Sequence, residues 1–282
     1  MPADDNGRVD VHHHVWPEPE PWMDAPELAP IRRPFGVDDL EPLAKAANVT
    51  ATVLVQTQSS VEQTRAFLAL ADSSDLVAGV TGWLDLTAPD FADQLSALRA
   101  EPNGRWLRGV RHQVQDEPDP EWLNRPDVLR GLRALWQPGM LYELLTKPPQ
   151  LPAALRTVAE LPELPFVLDH CSKPLIASGE LEPWAAQIRE LGSYPNVTCK
   201  LSGLVTEADW AHWTVADLQP YVDVVLEAFG PDRVMFGSDW PVCLLASSYA
   251  DWVAAAEQLT AGLSESEREA VFGGTARRVY AL

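Results

Sequence analysis

Long apolar runs are missing from this chain of 282 residues. No stretch of about 18 consecutive apolar residues occurs, so no membrane-spanning helix is expected. The first residues, Met1 to Asp10, are polar and carry no apolar segment. No secretory signal is therefore expected, and the cytoplasm is the expected compartment. Cysteine is scarce: Cys171, Cys199 and Cys243 are the only three, with no C-x-x-C spacing. That excludes a disulfide framework and fits a reducing compartment. Basic residues are outnumbered, 21 against 41 acidic, for a net charge of −20. A field of that sign repels phosphate backbones and anionic membranes, so neither nucleic acid nor a membrane is an expected partner. It does not restrict a small-molecule substrate, because a local pocket can oppose the global field. A homo-oligomer is compatible with this composition. Internal repeats and low-complexity segments are absent too.

What is present is alternation. Runs of β type fall at 8–12, 51–57, 77–83, 106–111, 140–145, 165–169, 196–201 and 233–238. Several are near-continuous apolar runs, as in strands buried on both faces of a parallel sheet. Helical patterns lie between them, at 38–47, 60–71, 88–99, 126–135, 152–161, 181–191, 215–229 and 249–259. Ser60 with Gln63 reads as a capping box. A last helix over 265–280 closes the chain. Eight strand–helix units predict one domain over 1–282, an α/β fold of the (β/α)8 barrel type. The rival, an open doubly wound sheet, carries a glycine-rich turn after its first strand. Here that place holds His12-His13-His14. The proline-rich stretch 17–34 reads as a long loop over one mouth of the barrel, and loops of that length are often functional.

Catalytic groups of such barrels collect at the C-terminal ends of strands. Strand one ends Asp10-Val11-His12-His13-His14. Residues two apart share a face, so His12 and His14 point together into the mouth. Two imidazoles make half a metal site, or a clamp on a water; the plainer alternative is a run of ordinary histidines. His170 follows the apolar run of strand six and is either a site residue or a structural histidine. Cys171 beside it reads as a small buried hydrophobe. Asp239 ends strand eight, where it is either a helix N-cap or a carboxylate facing the histidines. In the second case it has two natural tasks, metal ligand and general base. Arg111 and His112 end strand four, and a guanidinium there can hold a carbonyl or carboxylate by its planar fork. Lys173, Lys200, Glu143, Gln56 and Trp83 are further pocket candidates.

The pattern D-x-H-x-H at Asp10, His12 and His14, followed by Trp16, resembles the first strand of the amidohydrolase superfamily. More narrowly it is similar to the branch that contains sugar-lactone hydrolases, such as fuconolactonases and rhamnonolactonases, and 2-pyrone-4,6-dicarboxylate lactonase. The similarity continues through GVRHQVQDEP, LDHCSKP, KLSGL, FGSDWPV and FGGTARRVY, in order along nearly the whole chain. It implies a (β/α)8 barrel that hydrolyses a cyclic ester. Asp239 and His170 are then the expected catalytic residues, with His12, His14 and Asp239 as metal ligands. Arg111, His112, Lys173, Trp83 and Gln56 are the expected substrate contacts. Metal dependence varies within the branch: the set suits one divalent ion, zinc first, or a water held by hydrogen bonds with no metal at all. Two-metal relatives use an anionic bridge at the end of strand four, where this chain has Arg111-His112. An aldonolactone is the expected substrate, its ring set against Trp16, Trp83 and Trp240. The alternatives are a decarboxylase acting on an aromatic acid and a non-catalytic barrel that binds a small molecule.

Overall fold

The computed structural model describes residues 7–282. Each strand but the last is followed by a crossover that contains a helix. In order these are β1 (Arg8–His13), α1 (Val37–Ala46), β2 (Val49–Val55), α2 (Val61–Ser73), β3 (Val77–Gly82), α3 (Phe91–Ala100), β4 (Leu107–His112) and α4 (Pro126–Leu135). Then come β5 (Leu141–Leu144), α5 (Leu151–Glu160), β6 (Phe166–Leu168), α6 (Trp184–Gly192), β7 (Val197–Leu201), α7 (Val215–Phe229), β8 (Val234–Phe236) and α8 (Tyr249–Leu259). All neighbours pair in parallel, in sequence order. The ring closes beyond the last strand: Asp239 N–H donates to His12 O and His14 N–H to Trp240 O, both at 2.7 Å. The chain is thus a single-domain (β/α)8 barrel, as the alternation predicts. No helix among the described residues is long and apolar enough to cross a membrane.

Two cores follow from the two faces of the strands. The larger packs the outer strand faces against the helices, with Leu40, Phe91, Leu132, Val158, Ile188, Val222 and Trp252 fully enclosed. The smaller joins Val9, Val11, Val53, Val55, Leu141, Val167 and Met235 to Ala276 and Tyr280. Residues from five strands meet in that cluster, so it fills the barrel interior. Ala276 and Tyr280 belong to the C-terminal helical segment, which plugs the end opposite the site. That segment is continuous from Glu265 to Tyr280 but widens to a π-helix over Ala270–Gly274.

Helices α4, α7 and α8 have the bounds expected from sequence, because proline, threonine or serine marks their starts. The capping box at α2 is half formed. Ser60 Oγ accepts the Gln63 N–H, but Gln63 Oε1 turns to the N–H groups of Thr57 and Gln58. Strands β6 and β8 stop short of the expected 169 and 238. The backbone leaves the sheet at both places to aim a site residue. The loop 17–34 folds into two short helical turns, Pro21–Asp24 and Pro26–Ile31.

Candidate active site

The first strand presents its histidines through a bulge. Val9 and Val11 lie in the inner core, and strict alternation would carry His13 inward after them. Asp10 faces Thr52 and His13 faces Leu54, three residues against two. The extra residue reverses the phase. His12 and His14 turn inward, while His13 turns outward to Thr52 Oγ1 at 2.9 Å. Asp10 also faces outward and accepts the Ser238 N–H at 2.8 Å and the Tyr249 hydroxyl at 3.2 Å. Burial pushes its carboxyl up to about 6, against these hydrogen bonds. It ties the ends of strands one and eight together and is not part of the histidine face.

His170 and Asp239 arrive on left-handed backbone. His170, Cys171, Ser172 and Lys173 have φ of 52°, 52°, 58° and 50°, and Asp239 has 57°. Each such non-glycine residue costs roughly 1–2 kcal/mol. Strain of this kind is held only where the surroundings over-determine it, and it concentrates at functional sites. Gly203 makes the turn feasible, since a Cβ there would lie 2.5 Å from His170 Nδ1.

Four side-chain atoms converge. His12 Nε2 and His14 Nε2 are 3.2 Å apart. Asp239 Oδ1 lies 3.4 Å from His14 Nε2 and 3.7 Å from both His12 Nε2 and His170 Nε2. His14 Nδ1 is 2.8 Å from Val55 O. A carbonyl can only accept, so Nδ1 donates, and in the neutral ring Nε2 is the nitrogen with its lone pair toward Asp239. A lone pair facing a carboxylate calls for a cation between them. Tetrahedral ligands at zinc-type bond lengths stand roughly 3.3–3.4 Å apart. The separations among His12, His14 and Asp239, 3.2–3.7 Å, fit one divalent ion.

Beneath the histidines lies a buried charge network. Lys200 Nζ sits 2.7 Å from Glu143 Oε2, 3.0 Å from Asp169 Oδ1 and 3.1 Å from His12 Nδ1. Arg111 Nη1 donates to Asp169 Oδ2 at 3.0 Å and stands 3.3 Å from His12 Nε2. Arg111 Nη2 donates to Gln56 O. Thr81 and Tyr280 hydroxyls both donate to Glu143 Oε1 at 2.6 Å. Two cations thus balance two carboxylates out of water. Burial pushes the Asp169 carboxyl up, but Lys200, His12 and Arg111 outweigh it and hold Asp169 well below the usual range. Burial and the nearby Lys200 depress His12, and burial depresses His170 to about 4, so both rings are neutral at pH 7. Burial raises Asp239 as well, yet the neighbouring His170, His14 and Lys173 bring it below its ordinary value. It is therefore ionised at neutral pH.

A second grouping, His12 with Asp169 and His170, also brings ligand atoms together. Its carboxylate is engaged by Lys200 and Arg111, and it shares His12 with the first. The guanidinium is permanently positive and repels a second ion. Elemental analysis of protein purified without chelators should therefore give no more than one divalent ion per chain. A reproducible value near two would overturn this account of strand four.

Above the histidines opens a cavity of about 290 Å³ lined by His14, Trp22, Thr57, Arg111, Gln113, Gln115, Asp116, Leu145, His170, Lys173, Asp239 and Val242. Of the expected site residues, His14, Arg111, His170, Lys173 and Asp239 line it, and His12 is fully buried behind His14. Three expected contacts are placed elsewhere. His112 stacks flat on Trp122, its Nε2 2.6 Å from Glu117 Oε1, and its Nδ1 accepts the Trp83 indole N–H at 3.1 Å. Gln56 is buried and donates to Arg111 O. These three brace the wall and do not face the cavity. Trp16 and Trp240, each 1% exposed, are core residues and not mouth aromatics. Sequence reasoning missed Trp22, Thr57, Gln113, Gln115, Asp116, Leu145 and Val242. Gln113 and Gln115 sit in the GVRHQVQDEP motif just past β4, and that was the available signal. A wider hollow of about 1080 Å³, lined by Arg8, Phe272 and Arg278 among others, shares no residue with this cavity.

A family model for amidohydrolases matches residues 9–282. The chain belongs to the amidohydrolase family. Among curated relatives of this amidohydrolase, an L-fucono-1,5-lactonase of Burkholderia multivorans is 40% identical over 98% of this chain and 96% of its own length. A second L-fucono-1,5-lactonase, from Burkholderia ambifaria, is 38% identical over the same shares. A crystal structure of a Burkholderia multivorans amidohydrolase with bound zinc superposes with a TM-score of 0.92. It is 40% identical and covers 98% of this chain and 99% of its own.

Proposed function

We propose that this amidohydrolase opens the ring of a sugar lactone by attack of water on the lactone carbonyl. The observation that carries the mechanism is the Asp239 carboxylate, ionised at the cavity floor and faced by three imidazole Nε2 atoms. Its Oδ1 is turned to the histidines, and its Oδ2 makes no hydrogen bond among the described residues. That oxygen takes the proton as a water adds to the carbonyl carbon. The carbonyl π pair moves onto oxygen, giving a tetrahedral oxyanion. In this mechanism Nδ1 of His170 accepts from Ser202 Oγ, 2.9 Å away, and the ring's proton is on Nε2, toward the oxyanion. Arg111 adds a fixed positive charge nearby. Collapse of the intermediate breaks the ring C–O bond, and Asp239 returns its proton to the leaving alkoxide. His12, His14 and Asp239 would hold a divalent ion, zinc by the preference of this donor set, and it would supply Lewis-acid polarisation of the carbonyl.

Hydrolysis of an aldonolactone in 18O-labelled water tests this directly. The product is expected to be the open-chain acid with one 18O in its carboxylate and no carbon dioxide released. Label on the ring-opened hydroxyl carbon, or carbon dioxide, would contradict carbonyl attack.

A further inference from the structure

We infer that Trp22 and Gln115 select the substrate: an uncharged polyhydroxylated ring stacks on the Trp22 face while a ring hydroxyl donates to Gln115. The inference rests on the lactonase reading above and adds the groups that distinguish a sugar lactone from other lactones. Trp22 is 45% exposed and lines the catalytic cavity. The ring is nonetheless held in place. Its indole N–H donates to Glu20 Oε2 at 2.7 Å, and its edge meets Trp16 at 87° and 6.0 Å between centroids. Glu20 is itself buried, and its Oε1 accepts the Thr57 hydroxyl at 2.6 Å and the Gln58 amide at 3.1 Å. The loop 17–34 is thereby pinned to the end of β2. Met23 packs beneath it, and Arg32 donates to the Met23 carbonyl at 2.7 Å. The polar tip of Trp22 is engaged inside the protein, so what it offers the cavity is an apolar face already fixed in orientation. A pre-positioned aromatic face loses little entropy when a ring settles on it, and it suits the C–H face of a sugar.

The rest of the lining complements hydroxyls and not anions. Gln115 Oε1 is buried without a hydrogen-bond partner among the described residues. Such an acceptor is costly unless a donor arrives, and a hydroxyl is a donor. Gln113 is engaged by Thr57 O, Gln56 and Ser59. The cavity's cations are already matched: Arg111 by Asp169, and Lys173 by Glu207 at 3.5 Å. Asp116 adds a carboxylate to the rim, held only loosely, by Lys147 at 3.9 Å and by the Gln115 amide at 3.4 Å. A lactone bearing carboxylates would meet that charge, and both cations of the lining already have a carboxylate partner.

Steady-state kinetics of Trp22→Ala and Trp22→Phe test this with two substrates: a six-carbon aldonolactone and unsubstituted δ-valerolactone. Trp22→Ala is expected to raise KM for the aldonolactone about tenfold with kcat within about threefold, and to lower kcat/KM for δ-valerolactone, a smaller ring without hydroxyls, by clearly less. Trp22→Phe should recover most of the lost affinity, which a merely structural role would not show. An unchanged aldonolactone KM in Trp22→Ala would overturn the inference. So would an equal loss on both substrates. Failure of the wild-type enzyme to open either lactone would instead overturn the lactonase reading beneath it.

Discussion

Asp239→Asn is expected to lower kcat by at least roughly 10²-fold, the scale on which loss of a positioned general base is felt. The substitution keeps the shape of the side chain and removes its basicity. It should not disturb the fold. Asp239 joins the barrel through its main chain, donating to His12 O at 2.7 Å, and that bond survives. Its φ of 57° is also one that asparagine tolerates better than most residues. The amide N–H can donate to the His14 Nε2 lone pair. A well-folded variant, checked by circular dichroism and melting temperature, with near-normal turnover would refute the assignment of Asp239 as proton carrier.

Lys200→Met is expected to destabilise the protein by about 3–5 kcal/mol, the usual consequence of removing one partner from a buried ion pair. Lys200 is fully enclosed and lies within 3.0 Å of both Glu143 and Asp169. Without it two buried carboxylates share only Arg111, which touches Asp169 alone. Adding Glu143→Gln should restore part of the stability. It removes the stranded charge, and its side-chain oxygen can still accept from Thr81 and Tyr280. Urea denaturation of the two variants measures both effects. A loss below about 1 kcal/mol for Lys200→Met would mean that the network contributes little to holding His12 from below.

The barrel was legible in the sequence because its strands are buried on both faces and so read as apolar runs. The helices between them carry caps that mark their starts. Asp239 and the histidines stood out because a carboxylate or imidazole just past an apolar strand gains nothing from apolar packing. The bulge in β1 was not. Asp10, His12 and His14 alternate perfectly, and only Val9 and Val11 in the inner core reveal that Asp10 lies on the other face. The charge network under the site was hidden for a different reason. Glu143, Asp169 and Lys200 come from three strands, and their distances depend on barrel closure, which no local pattern encodes. Trp83, His112 and Gln56 lie outside the cavity lining because a strand-end residue can turn sideways to a neighbour as readily as into the mouth. The cavity wall was least legible of all. Trp22 and Gln115 lie on loops, where no period says which way a side chain points.

The central claim is that the cavity above Asp239 opens sugar lactones, and a pH-indicator assay of proton release tests it most directly. Four-, five- and six-carbon aldonolactones would be supplied to the protein as purified and again after addition of zinc, with buffer as the reference. Acceleration over buffer is predicted for at least the six-carbon lactones, abolished to within roughly a hundredth of the wild-type rate in Asp239→Asn. No acceleration with any lactone, with or without zinc, would contradict the account.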